Sequence, residues 1–172
     1  LGAVWLGTTE GLNRYNGKDV KVFQPSESNH GLTNNEINEL CGDKNGRMYI
    51  RSGNDLIKLD IYTEQFTCLR QKGVYGLFCK KDTLWVSCAD GIYYYTGQGT
   101  ELTFFARVQK GFVGRALYVD RETVWVVTRK YLVAISREDP LRQEILLTLD
   151  KGNCILGDSS GNIWVGAWNG LY

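Results

Sequence analysis

The chain has 172 residues, 43% of them hydrophobic and 23% charged, with a formal net charge of +1. That apolar content excludes a disordered chain and suffices for a packed core. The near-neutral balance excludes the broad basic footprint of a nucleic-acid-binding domain or of a segment held on an acidic membrane. No apolar run is long enough to span a bilayer; Glu144-Ile145-Leu146-Leu147-Thr148-Leu149 is among the longest.

In chain order, the elements read as short strands joined by tight turns. Residues 1 to 23 supply three strands around Trp5. Ile37 to Cys41 is a short apolar stretch, followed by the turn Gly42-Asp43-Lys44-Asn45-Gly46. Strands follow at Arg47 to Ser52, Leu56 to Leu59 and Gln65 to Arg70, giving a four-stranded antiparallel meander. Two more sets repeat it. The first has strands at Val74 to Cys79, Thr83 to Cys88, Gly91 to Tyr95 and Glu101 to Ala106. The second has Val113 to Val119, Thr123 to Thr128, Tyr131 to Ile135 and Glu144 to Leu149. Asn153 to Tyr172 then begins another set, its turn Asp158-Ser159-Ser160-Gly161 repeating the one at Asp43.

One phrase recurs at the same place in every set: VWLGTTEGL, MYIRSGNDL, LWVSCADGI, VWVVTRKYL and IWVGAWNGL. Its aromatic anchors Trp5, Tyr49, Trp85, Trp125 and Trp164 lie 44, 36, 40 and 39 residues apart, and seven positions after each comes Leu12, Leu56, Ile92, Leu132 or Leu171. A period near 40 with one supersecondary unit per repeat marks a propeller or solenoid. The strand carrying the anchor is apolar on both faces, so it needs cover on both sides, which radially stacked sheets provide. The expected fold is all-β: a β-propeller segment of about four four-stranded antiparallel blades. Its divisions are a partial blade at 1–30, blades at 31–72, 73–111 and 112–151, and a partial blade at 152–172. Because the chain starts and stops within the phrase, it reads as a piece of a longer protein. Gly11, Gly91 and Gly170 sit six after their anchors, where a tight turn can demand positive φ. Asp55 and Tyr131 replace them, and the Tyr131 unit is expected to turn differently.

The five cysteines, Cys41, Cys68, Cys79, Cys88 and Cys154, form no metal-binding or disulfide pattern and read as small hydrophobes on strands. Taken alone they favour a reducing compartment. The single histidine, His30, lies in the polar stretch Gln24 to Gly31, an inter-blade loop, with no paired acid or nucleophile to make it catalytic.

Trp5-Leu6-Gly7-Thr8-Thr9-Glu10-Gly11-Leu12-Asn13-Arg14-Tyr15-Asn16 resembles the two-component regulator propeller repeat, and Asp158-Ser159-Ser160-Gly161-Asn162-Ile163-Trp164-Val165-Gly166 carries its first part almost whole. Between the ends Arg51, Ser87 and Val127 replace the motif glycine. The resemblance implies a seven-bladed propeller in the periplasmic sensor region of a hybrid two-component histidine kinase of Bacteroidetes, part of an inner-membrane protein. It implies glycan-derived oligosaccharides as the signal, a kinase outside this chain, neighbouring propeller and sensor domains, and a homodimer in the full-length protein. No cofactor, metal or nucleic acid is implied for this segment, and no catalytic residue. A protein-interaction scaffold and a propeller lyase are the alternative readings.

Scaffold residues repeat and functional ones should not, so the anchors read as core. Ligand candidates are sought where the loops between second and third strands differ. These are Trp168 and Asn169, Arg129 and Lys130, Arg51 and Asn54, and Asp90. Trp168 interrupts a polar loop and offers an indole on which a sugar face can stack, while Arg, Asn and Asp can bond its hydroxyls. Arg129 and Lys130 suit a carboxylate such as that of a uronic acid. The competing readings are that Trp168 packs on the next blade and that Arg129 and Lys130 are solvated loop charges.

Overall fold

The computed structural model describes residues 2–25 and 31–172; His30 lies outside them. Five antiparallel sheets follow one another along the chain. The first joins β1 (Val4–Thr8), β2 (Gly11–Tyr15) and β3 (Val20–Phe23). The second joins β4 (Ile37–Gly42), β5 (Arg47–Ser52), β6 (Asp55–Asp60) and β7 (Gln65–Arg70). The third contains β8 (Val74–Lys80), β9 (Thr83–Cys88), β10 (Gly91–Tyr95) and β11 (Thr103–Ala106). The fourth contains β12 (Gly114–Val119), β13 (Thr123–Thr128), β14 (Tyr131–Ser136) and β15 (Gln143–Thr148). The last comprises β16 (Cys154–Gly157), β17 (Ile163–Ala167) and β18 (Gly170–Leu171). Each is a meander whose strands pair in sequence order, the blade of a propeller. No α-helix occurs among the described residues; the one helical turn is a 3-10 turn at Gln109–Gly111, which the sequence pattern did not announce.

The chain divides into two compact units, Leu1–Val74 and Tyr75–Tyr172. In the first, Leu12 and Phe23 of one sheet pack with Ile37, Ile50, Ile57 and Leu59 of the next. In the second, the β12–β15 sheet is covered on both faces. Trp85 and Ile92 of the preceding sheet meet its Leu117, Val124, Val126 and Ile135. On the other side Val165 of the following sheet meets Val127 and Leu132. This two-sided cover explains the uninterrupted apolar run Val124-Trp125-Val126-Val127, since no residue of that strand faces water alone. Strands β1 and β17 lack it, leaving Val4, Leu6 and Trp164 53%, 52% and 42% exposed.

Anchors take different surroundings within one motif. Tyr49 is fully buried and Trp85 nearly so, the latter ringed by Tyr94 and Phe105 at 5.6 and 5.0 Å between centroids. A second device recurs unannounced by the apolar pattern. The aspartate opening the turn before the anchor strand accepts the anchor's polar hydrogen: Trp125 Nε1–H donates to Asp120 at 2.7 Å and Trp164 Nε1–H to Asp158 at 3.0 Å. The Tyr49 hydroxyl reaches Asp43 at 3.3 Å. The other carboxylate oxygen takes turn N–H groups, those of Ser160 and Asn162 in the case of Asp158. One carboxylate thus closes the turn and satisfies the aromatic tip.

Register shifts also recur. In all three four-stranded sheets the third and fourth strands slip just after the apolar residue seven past the anchor, at Leu56/Ile57, Ile92/Tyr93 and Leu132/Val133. Such bulges increase the twist of the outer strand. Gly91 shows why its position excludes a side chain: φ is +155° and a Cβ would lie 2.7 Å from the Ala106 carbonyl oxygen. Neither Asp55 nor Tyr131 takes positive φ. Gly53 supplies the left-handed residue in one hairpin. In the other, the Thr128 hydroxyl accepts the N–H of Lys130 and of Tyr131 instead. All five cysteines lie on strands and none is in a disulfide, and Cys154 is exposed rather than packed as a hydrophobe.

Candidate functional site

In the second unit, the hairpin loops are tied by backbone hydrogen bonds to the connection between the fourth and fifth sheets. Leu149 N–H donates to Lys130 O at 2.6 Å, Gly152 N–H to Arg129 O at 3.1 Å, and Trp168 N–H to Asp150 O at 2.9 Å. The first of these continues the register in which Tyr131 pairs with Thr148, although the strand itself ends at Thr148 rather than Leu149 as the sequence pattern suggests. Gly152 is buried, and a Cβ there would stand 2.4 Å from the Thr128 carbonyl oxygen. The preceding residue, Lys151, carries the turn at φ 51°. These constraints bring Arg129, Lys151 and Trp168 to the walls of one open groove of about 490 Å³, completed by Arg115, Asn153 and Cys154 among others.

An adjoining groove of about 340 Å³ is lined by Tyr75, Phe112, Val113, Arg115, Arg129 and Lys130, with Gly111 and Thr128. Arg115 and Arg129 belong to both. Behind the adjoining groove, the Phe112 ring packs against Tyr131, their centroids 4.9 Å apart. A third groove, of about 290 Å³, shares Gly111 and Phe112 and is bordered by Asp90 and Arg107.

Trp168 is 78% exposed, with Lys151 Nζ 4.9 Å from its ring centroid. Asn169 is exposed beside it but lines none of the three grooves. Asp90 accepts the Tyr93 hydroxyl at 2.9 Å. Arg51 and Asn54 belong to the first unit. There Arg51 is half-buried, its Nε 3.5 Å from Glu39 and its Nη1 donating to Gly53 O at 3.3 Å, commitments that hold it within its own sheet. Asn54 is exposed, and its carbonyl accepts the Val74 N–H at 3.0 Å.

Arg115 lies on strand β12, outside the loops in which departures from the repeat are legible. Its visibility comes from the register: Gly114 pairs with Thr128 and Ala116 with Val127, which leaves Arg115 as the extra residue of a bulge. No group of three or more His, Cys, Asp or Glu side chains able to hold a metal ion occurs among the described residues.

Known structures share this architecture. The extracellular domain of the hybrid two-component system protein BT3049 from B. thetaiotaomicron is similar over 99% of this chain and 26% of its own, with 21% identity and a TM-score of 0.83. That of BT4673 from the same organism, described as a one-component system, is similar over 99% and 30%, with 19% identity and a TM-score of 0.54. The chain shares its fold with these extracellular domains. It spans about a quarter to a third of their length. A gluconolactonase from Xanthomonas campestris, XC5397, is similar over 95% of this chain and 64% of its own, at 13% identity and a TM-score of 0.69. No protein-family model and no curated protein matches the sequence.

Proposed function

We propose that this chain is a non-catalytic blade segment of an extracytoplasmic sensor domain of a hybrid two-component regulator. Its groove-bearing face takes a glycan-derived oligosaccharide, and the signal passes to a kinase outside the chain. The observation that carries the reading is the exposed indole of Trp168 on a groove whose walls differ from blade to blade while the scaffold beneath them repeats. The near-complete structural likeness to BT3049 supports the sensor assignment. The likeness to XC5397, at 13% identity, is one of fold.

Signalling would proceed by differential affinity: a glycan that prefers one arrangement of the blades and their neighbouring domains shifts its population. Calorimetric titration with a panel of neutral and acidic oligosaccharides is the test. Saturable binding of at least one, lost in Trp168→Ala with an unchanged melting temperature, is the expected outcome. A panel without any saturable binder counts against the proposal.

The alternative of a protein-interaction scaffold draws on a separate observation. Leu156, Trp164 and Leu171 leave the last sheet with an apolar exposed surface.

A further inference from the structure

The two grooves that meet at Arg115 and Arg129 have a charge pattern unlike the chain as a whole. Net charge over 172 residues is only +1. Yet the residues lining these grooves include Arg115, Arg129, Lys130 and Lys151 and not one carboxylate. None of the four makes an ion pair among the described residues. Four uncompensated cations in a concave surface raise the local concentration of anions, because the groove focuses their field.

Geometry adds selectivity to that field. Arg115 is the extra residue of the β12 bulge, and a bulge re-aims the side chain it inserts. Its guanidinium stands 5.9 Å from the Tyr75 ring centroid, while Arg129 comes from the facing hairpin loop. Aromatic platforms flank the pair on both sides, Tyr75 in one groove and Trp168 in the other. Lys151 holds φ 51°, a conformation uncommon for a side-chain-bearing residue, where it keeps its ammonium over Trp168. A ligand suited to this surface has an apolar face for an indole and a planar anionic group for a guanidinium fork.

We propose that Arg115 and Arg129 form an anion clamp between two aromatic subsites, and that the ligand is an acidic carbohydrate bearing carboxylate or sulfate. This rests on the oligosaccharide reading above and narrows it to a charge class. Arg115 is the residue that selects acidic over neutral sugars, and Trp168 supplies stacking common to both. A nucleotide, which also joins a flat ring to an anion, is the rival ligand. The nucleotide arm of the titration separates the two.

The experiment titrates the 172-residue chain with four probes: an oligogalacturonate, a sulfated glycosaminoglycan disaccharide, a neutral galacto-oligosaccharide and a nucleoside monophosphate. Binding of an acidic sugar that weakens as salt rises is expected, and the carboxylated and sulfated arms tell which anion the clamp takes. Arg115→Ala is expected to weaken that binding about tenfold or more, Arg115→Lys to restore part of it, and neither to move the melting temperature of an exposed position. Equal binding of neutral and acidic sugars, or acidic binding indifferent to both Arg115→Ala and Arg129→Ala, overturns the clamp and leaves the glycan reading standing. Failure of every saccharide, or binding of the nucleotide alone, overturns both.

Discussion

Asp158 does three jobs with one carboxylate: it accepts the Trp164 indole N–H, the Asn162 side chain and the turn N–H groups of Ser160 and Asn162. The Trp164 bond is the largest influence on its acidity, followed by Asn162, and together they lower its pKa from an ordinary 3.8 to about 2. Asp120 is also held low. Burial pushes it up, but Trp125 and the N–H groups of Glu122 and Thr123 outweigh that. A carboxylate with a depressed folded pKa stabilises fully above its unfolded value, and that contribution fades as pH falls through the folded one. The melting temperature is therefore expected to drop between about pH 4 and about pH 2. In Asp158→Asn the drop across this window should be smaller, and a pair of parallel curves would refute the assignment. Gly91→Ala tests the hairpin. Positive φ and the approach of the Ala106 carbonyl both oppose a methyl group, so a loss of about 1–3 kcal/mol is expected by chemical denaturation.

At the scale of an element, the chain uses tryptophan in two ways. Trp85 anchors β9 inside the core at 5% exposure, and Trp168 tips a hairpin at 78%. Truncating the first to alanine should cost about 3–5 kcal/mol, and truncating the second less than about 0.5 kcal/mol. Urea titration of both variants checks the contrast, and similar losses would mean that Trp168 packs in solution. The repeat marks Trp85 as an anchor with an aromatic counterpart in every blade and Trp168 as a departure from it. It does not mark Arg115, since a residue's role as a bulge depends on two strands pairing with unequal numbers of residues. Nor does it mark Lys151, which becomes a groove wall only after Gly152 and Leu149 are tied to the neighbouring hairpin.

For the whole molecule, apolar surface at both terminal sheets governs behaviour in solution. Val4 and Leu6 in the first sheet, and Leu156 and Leu171 in the last, are 53%, 52%, 64% and 68% exposed. Surfaces of this kind, with open strand edges, promote association. Sedimentation velocity is expected to show concentration-dependent assembly that Leu156→Lys with Leu171→Lys reduces. A clean monomer throughout the micromolar range would contradict this.

The sequence alone determined the blade, its period and most strand limits. Arg47–Ser52, Gln65–Arg70, Thr83–Cys88, Gly91–Tyr95 and Thr123–Thr128 fall where alternating pattern and turn residues put them. Strand and turn signals are local, so neighbouring residues suffice to specify them. It also singled out Arg129, Lys130 and Trp168, because departures from a repeat are visible within the repeat. Only the tertiary structure decided which candidates share a surface. It set Arg129, Lys130 and Trp168 along adjoining grooves, placed Arg51 in an ion pair with Glu39, and added Arg115. Those outcomes follow from backbone hydrogen bonds between segments about 20 residues or more apart and from one bulge, neither of which a linear pattern records.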